Sequence, residues 1–205
     1  QVSANVDAGF SIVKFTSNAS TLTAGHGLNS IPDLIIVKAT SFADSWFVNS
    51  SALTNQTDRA LRLNATSAEE TNSAFWNNVA PTSTTFSLGN GISINGNSYI
   101  AYCFASKAGY SKVGSYVGTG ATGNVQYLGF EPAFLLVKRT SSTSDWYMID
   151  NKRNPSNPRN SWLNANTSTA EYTPSHGVDF LSNGFSFIST DLNGTGQSWI
   201  FLAIA

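Results

Sequence analysis

Paired carboxyl groups are the side chains with which proteins hydrolyse glycosidic bonds, at separations of about 5 to 9.5 Å. The chain has twelve Asp and Glu residues, and of these Glu69 and Glu171 recur at matching places in its two halves. Each follows an alanine in a Ser/Thr-rich stretch, where a carboxylate commonly caps or closes a turn. The acidic residues therefore predict no catalytic pair, and a polysaccharide depolymerase is a disfavoured alternative.

Nucleophiles and metal ligands give no specific pattern either. The two histidines, His26 and His176, each precede a glycine, which is typical of turns. There is no G-x-S-x-G motif, and the single cysteine, Cys103, excludes an intramolecular disulfide and a Cys-x-x-Cys metal site. The stretch "STDLNGTGQS" (189–198) lacks the second and third carboxylates of a calcium loop. We expect turn roles for both histidines, a buried thiol, and no catalytic residue, cofactor or metal.

Tryptophan is the side chain best suited to stack on a sugar ring, and the chain has five of them. Trp46, Trp146 and Trp199 lie in predicted strands, where core packing is the expected role. Trp76 and Trp162 have no counterpart in the other half of the chain. These two are therefore the candidates for an exposed ligand contact.

Basic residues are concentrated around the loop "NKRNPSNPRN" (151–160). Four of the eleven Lys and Arg residues lie in or near it: Arg139, Lys152, Arg153 and Arg159. In a chain with only 11% charged residues, this concentration predicts a subunit or ligand contact.

Charge and composition exclude several classes of partner. The net charge is −1 and no run of Lys or Arg exceeds two residues, which argues against nucleic acid and anionic membrane surfaces. No apolar run approaches the ~18 residues of a membrane span, so we expect no membrane insertion. A surface of hydroxyls and amides suits tight repeated packing or contact with neutral sugars.

The sequence repeats itself at an offset of 100 residues. Gly9 matches Gly109, Pro32 matches Pro132, and "YIAYCFA" near residue 100 matches "WIFLAIA" at the end. Around position 62 the offset grows by two residues, because "LRLNATSAEE" matches "LNANTSTAEY". The repeat predicts a lead-in over residues 1–7, one module over 8–107 and a homologous module over 108–205.

Each module is predicted to consist of β-strands. "PDLIIVKAT" and "PAFLLVKRT" start with a proline and continue with four or five apolar residues, as a strand buried on both faces does. "SWFVNS", "TFSLG" and "FSFIST" predict further strands between Gly/Asn turns, and "TSAEETNSAFW" predicts one short helix at most. The expected fold is all-β, with two homologous β-sandwich-like or small-barrel modules of about 100 residues in tandem.

The ordered set of these motifs resembles a tandem repeat family of tailed-bacteriophage structural proteins, found in marine and cyanobacterial phages and in prophages. The resemblance covers residues 7–205. It rests on these segments: 7–13, 25–28, 80–82, 86–89, 99–104, 132–140, 146–155 and 179–185.

This resemblance implies a non-enzymatic virion protein of the tail-fibre, capsid-fibre or decoration type, located on the virion or outside the cell. It implies self-association, with a trimer as the favoured state, together with contacts to other virion proteins and a contribution to host attachment. The alternative is a module that binds host-surface glycan, and an extracellular filament subunit is a less favoured one. The resemblance implies no catalytic residue.

Overall fold

The structure is a computed structural model that describes residues 1–18, 20–174 and 177–205. His176, for which a turn role is expected, lies outside the described residues. Over the described ranges all regular elements are β-strands, which confirms the all-β prediction. Within these same ranges no helix is long and apolar enough to cross a membrane.

The chain divides into two compact units. Unit 1 consists of Gln1–Asn64 and Glu69–Lys107, and unit 2 consists of Ala65–Ala68 and Ala108–Ala205. The change from one unit to the other at residue 108 coincides with the start of the second repeat in the sequence. The short segment Ala65–Ala68 was not expected in unit 2, since the sequence repeat places it in the first module.

Unit 1 contains two antiparallel sheets. Seven strands form the larger sheet in the order β1-β2-β9-β4-β5-β6-β7, and β3 pairs with β8 in the smaller one. The strands are β1 (Val2–Asn5), β2 (Phe10–Thr16), β3 (Leu22–Gly25), β4 (Leu34–Ala39), β5 (Trp46–Ser50), β6 (Arg59–Arg62), β7 (Glu70–Thr71), β8 (Thr85–Leu88) and β9 (Ser98–Phe104).

Two segments of unit 1 differ from the sequence-based expectations. The lead-in over residues 1–7 contains β1, which extends the sheet by pairing with β2. The stretch predicted as a short helix contains β7 and then turns. Its capping pattern does not start a helix because Glu70 is paired across the strand with Ala60.

Unit 2 has the same two-sheet arrangement with fewer edge strands. The larger sheet has the order β10-β17-β12-β13-β14, and the smaller one has the order β11-β16-β15. The strands are β10 (Ser111–Val117), β11 (Asn124–Tyr127), β12 (Phe134–Arg139), β13 (Trp146–Asp150), β14 (Trp162–Asn164), β15 (Val178–Leu181), β16 (Gly184–Phe187) and β17 (Ser198–Ile204).

The central strands of the two units have the same register. Lys38 of β4 lies opposite Ile100 of β9, and Lys138 of β12 lies opposite Ile200 of β17. The flanking strands are displaced. Phe15 lies opposite Tyr99 but Tyr116 lies opposite Trp199, so β10 is shifted by one residue relative to the offset of 100.

Apolar side chains between the sheets form one core in each unit. In unit 1 this core joins Val37 of the larger sheet to Phe86 of the smaller one. In unit 2 it joins Val137 to Phe185 in the same way. Each unit is therefore β-sandwich-like, as the sequence predicts, with apolar residues alternating along the strands toward the interior.

Candidate functional site

The two unmatched tryptophans are buried. Trp76 is 1% exposed and Trp162 is 3% exposed. The expectation that they form an exposed ligand contact is therefore wrong, because neither indole presents a face on which a sugar could stack. Each belongs to the hydrophobic core of its own unit.

Both indole N–H groups donate to a backbone carbonyl. The Nε1 of Trp76 lies 2.8 Å from the oxygen of Arg59, and that of Trp162 lies 3.0 Å from the oxygen of Arg159. A buried indole N–H usually has such an acceptor. The two tryptophans therefore make the same kind of bond, to carbonyls 100 residues apart, although they come from unrelated places in the sequence.

Strand pairing explains how one tryptophan replaces the other. Ala60 lies opposite Glu70 in unit 1, and Trp162 lies opposite Tyr172 in unit 2. The position taken by a small alanine in unit 1 is thus taken by an indole in unit 2. In unit 1 the indole comes from another segment, because Trp76 donates to the carbonyl of Arg59, the residue before Ala60.

The predicted cationic patch is divided among separate partners. Arg139 donates to the carbonyl of Thr143 and lies with its Cζ 5.8 Å from the Trp199 ring centre. Arg159 is buried, donates to the oxygen of Asn154 at 2.8 Å, and lies over the Phe180 ring.

Arg153 lies between two carboxylates. Its Nε donates to Asp150 at 2.6 Å, and one of its Nη atoms lies 3.8 Å from Glu171. Burial favours a higher pKa for Asp150, but the N–H groups of Arg153 and Lys152 outweigh it and hold that pKa below its ordinary value. Of the four predicted cations, only Lys152 is exposed. Arg153 and Arg159 hold the loop and Arg139 holds the carbonyl of Thr143 outside it, and the subunit or ligand contact expected of the four stays a prediction.

The recurrent glutamates are also fixed in place by local contacts. Glu69 accepts from the backbone N–H and the hydroxyl of Thr54. A carboxylate oxygen of Glu171 lies 3.8 Å from an Nη atom of Arg153. Glu69 therefore holds a turn, as expected from the sequence, whereas for Glu171 the turn role stays a prediction; each glutamate belongs to a different unit.

His26 is fully buried in a turn. Its Nε2 donates to the carbonyl of Thr82 at 3.1 Å, and its Nδ1 accepts from the N–H of Leu28 at 3.2 Å. Burial lowers the pKa of this imidazole, against the opposing effect of the Thr82 carbonyl. The ring is therefore held neutral with both nitrogens occupied, and the expected turn role is confirmed.

Two further polar side chains lie inside the protein. Asn193 is fully buried and holds the backbone of Thr119 and Ala121 through its amide. Cys103 is fully buried in the core of unit 1, as expected, and this burial raises the pKa of its thiol to about 12. Among the described residues no group of His, Cys, Asp and Glu could hold a metal ion.

Lys138 is the residue that sequence reasoning missed. It is fully buried, and its Nζ donates to the carbonyls of Ser144 at 2.7 Å and Thr66 at 3.0 Å. Burial, assisted by the neighbouring Arg139 charge, lowers the pKa of Lys138 to about 8. The sequence gives no signal for this burial, because Lys38 at the matching position also follows a valine in an apolar strand, and of the two adjoining residues only the next one differs, Ala39 against Arg139.

Fold and side-chain chemistry together define the class of protein. It is an all-β chain with two sandwich-like units, in which the buried side chains of His26, Lys138 and Asn193 bond to the backbone of the chain itself. The chain belongs to a family described as "Domain of unknown function (DUF7483)", whose model matches residues 1–205. No curated protein and no solved structure matches it.

Proposed function

We propose that this chain is a non-enzymatic structural protein of a tailed-phage virion, of the tail-fibre, capsid-fibre or decoration type. One observation carries the proposal: the side chains with the greatest capacity for chemistry are engaged in holding the backbone. His26 fixes a turn, Lys138 fixes two loop carbonyls, and Asn193 fixes the turn at Thr119. Such a protein acts through its shape and surface.

The sequence supplies the second support. The motifs over residues 7–205 resemble those of phage virion proteins, and low charge with many hydroxyl and amide side chains suits repeated contacts between subunits. The proposed location is the virion, outside the cell. The proposed partners are further copies of the chain and other virion proteins, with a contribution to host attachment.

The glycan-binding alternative loses the two residues on which it depends. Trp76 and Trp162 are enclosed in the cores, so sugar stacking at these positions would require each unit to open. No specific observation favours this function over the structural one.

The test is to locate the protein. Antibodies against the purified chain are applied to particles released from a strain that carries the gene, and bound antibody is seen by immunogold electron microscopy. We expect gold at a fixed position on the particles and no gold on particles from a strain in which the gene is deleted. Protein that is found only in the cell or the free medium would overturn the virion assignment.

A further inference from the structure

Unit 2 contains a buried lysine that depends on a separate segment of chain. The Thr66 carbonyl, in the segment Ala65–Ala68, accepts from Lys138 Nζ and also from the N–H of Ser144. On the same face of the sheet Trp146, which lies opposite Lys138, is 2% exposed. The lysine and its tryptophan neighbour are therefore covered.

The matching face of unit 1 is open. Lys38 is half-buried and donates to the carbonyl of Asp44 at 2.7 Å. An ammonium group has three N–H donors, and the described part of unit 1 contains no separate segment that corresponds to Ala65–Ala68. Trp46, the partner of Lys38 across the strands, is half-buried and stacks on Tyr102.

The difference extends along the central strand. Ile100 is half-buried in unit 1, whereas Ile200 at the matching register is 3% exposed. A shallow recess lies on this face of unit 1, beside the Lys38 position. Its cavity volume is about 250 Å³, and it is lined by Gln1, Ser3, Ile12, Lys14 and Ile100. The face thus combines apolar surface with two cations, Lys14 and Lys38.

The chain also carries an unused copy of the covering segment. Residues 167–170 follow β14 just as Ala65–Ala68 follow β6. Each segment is preceded by an asparagine whose side-chain oxygen accepts from the backbone N–H of a tryptophan, Asn64 from Trp46 and Asn166 from Trp146. All four residues of 167–170 are exposed. The next residue is Glu171, whose side chain is 43% exposed and lies 3.8 Å from Arg153, so an acidic side chain adjoins the exposed segment.

We propose that the sheet face of unit 1 that carries Lys38 receives the exposed segment 167–170 of a second copy of this chain. In this contact Lys38 donates to the carbonyl of Ser168, as Lys138 donates to that of Thr66. The half-buried Trp46 and Ile100 become buried. The contact joins two different surfaces, the Lys38 face of one copy and the segment 167–170 of the next. It is therefore head-to-tail, and repeated contacts form a closed ring or an open filament.

This proposal goes beyond the structural function and does not depend on a virion location, because it concerns only the purified chain. Its test is the molar mass in solution by light scattering after size exclusion. The monomer has a mass of 21.9 kDa. We expect a mass that increases with concentration, in the range up to about 1 mM.

Two charge variants probe the two surfaces. Ser168→Lys places a cation on the exposed segment, and Lys38→Glu reverses the charge on the receiving face. Each is expected to weaken association about tenfold or more, because each places like charges across the contact. The double variant is expected to recover much of the association, since the introduced lysine of one copy then faces the introduced glutamate of the next.

The matched control is Ser83→Lys, which adds the same charge at an exposed position of unit 1 and is expected to leave association unchanged. Circular dichroism checks that each variant is folded. If Lys38→Glu disturbs the Asp44 loop, Ser168→Lys alone keeps the test valid, because that residue is exposed. A monomer at all concentrations up to about 1 mM, or association that neither variant weakens, would overturn the proposal.

Discussion

The two units meet one requirement of their cores with different residues. In unit 1 the hydroxyl of Tyr99, on the central strand β9, donates to the carbonyl of Ile92 at 3.0 Å. In unit 2 the hydroxyl of Tyr116, on the neighbouring strand β10, donates to the carbonyl of Leu192 at 2.7 Å. In each unit the tyrosine stacks on an aromatic ring of the neighbouring strand, Phe15 with Tyr99 and Tyr116 with Trp199. The hydroxyl that holds the turn thus comes from the central strand in unit 1 and from its neighbour in unit 2.

The tryptophans show the same exchange. Trp76 comes from a loop and Trp162 from a strand, yet each indole donates to an arginine carbonyl in the interior of its unit. The two units therefore share a core with a buried indole and an arginine carbonyl that accepts from it. The tryptophan that supplies this indole lies at a different sequence position in each unit.

The largest expected effect tests whether Trp76 and Trp162 stabilise their units by similar amounts. Trp76→Ala and Trp162→Ala should each lower the free energy of unfolding by about 3 to 5 kcal/mol, because each leaves a large cavity and an unpaired carbonyl. Denaturant unfolding followed by circular dichroism measures this loss. Trp46→Ala, at a half-buried position, is the control and should cost clearly less. A loss below about 1 kcal/mol at Trp76 or Trp162 would be typical of a surface position and would break the comparison.

The second largest effect is a pH dependence of the free energy of unfolding that buried Lys138 is expected to cause and exposed Lys152 is not. The folded pKa of Lys138 is about 8 against an ordinary value of 10.5. Below pH 8 both the folded and unfolded states carry the proton, so the cost of the buried charge is fully present. Between pH 8 and 10.5 the folded state loses the proton first, and stability rises by up to about 3 kcal/mol.

Lys138→Met should abolish that rise, which is measured by urea unfolding at several values of pH and detected by tryptophan fluorescence. Lys152→Met leaves the buried lysine in place and is expected to keep the wild-type rise. If Lys138→Met and the wild type have parallel pH profiles, Lys138 is not buried as a charged group.

The smallest expected loss of stability follows removal of the hydroxyl of Tyr99 or of Tyr116. Tyr99→Phe and Tyr116→Phe should each destabilise their own unit by about 1 kcal/mol, because a turn carbonyl loses its donor. Amide hydrogen exchange read by mass spectrometry should locate the loosening at Ile92 in the first case and at Leu192 in the second. Tyr127→Phe, at a ring 67% exposed, should change neither turn. Loosening in the wrong unit would contradict the comparison.

Much of the fold could be predicted from the sequence because it depends on local patterns. The apolar run after Pro32 and the run after Pro132 become β4 and β12, and the strand pairs around them keep the offset of 100 residues. The two-residue change near position 62 also appears in the pairing, where Leu61 lies opposite Val48 and Leu163 opposite Met148.

The rest depends on contacts between distant residues. The one-residue shift of β10 places Tyr116 opposite Trp199, and no periodicity in the sequence shows it. The buried indole of Trp76 donates to the carbonyl of Arg59, which lies 17 residues away in the sequence, and no local pattern shows this contact. Lys38 and Lys138 have nearly the same neighbours along the chain, and only tertiary contacts make one of them fully buried.

The order of the strands has a consequence for synthesis on the ribosome. In both units the strand made last is central: β9 lies between β2 and β4, and β17 lies between β10 and β12. The earlier strands can pair only within separate groups, such as β4 with β5 and β12 with β13, since the strand that joins these groups has not yet emerged. Each unit therefore completes its larger sheet in one late step, after long loops have closed, which is the behaviour of a slowly folding, non-local β topology.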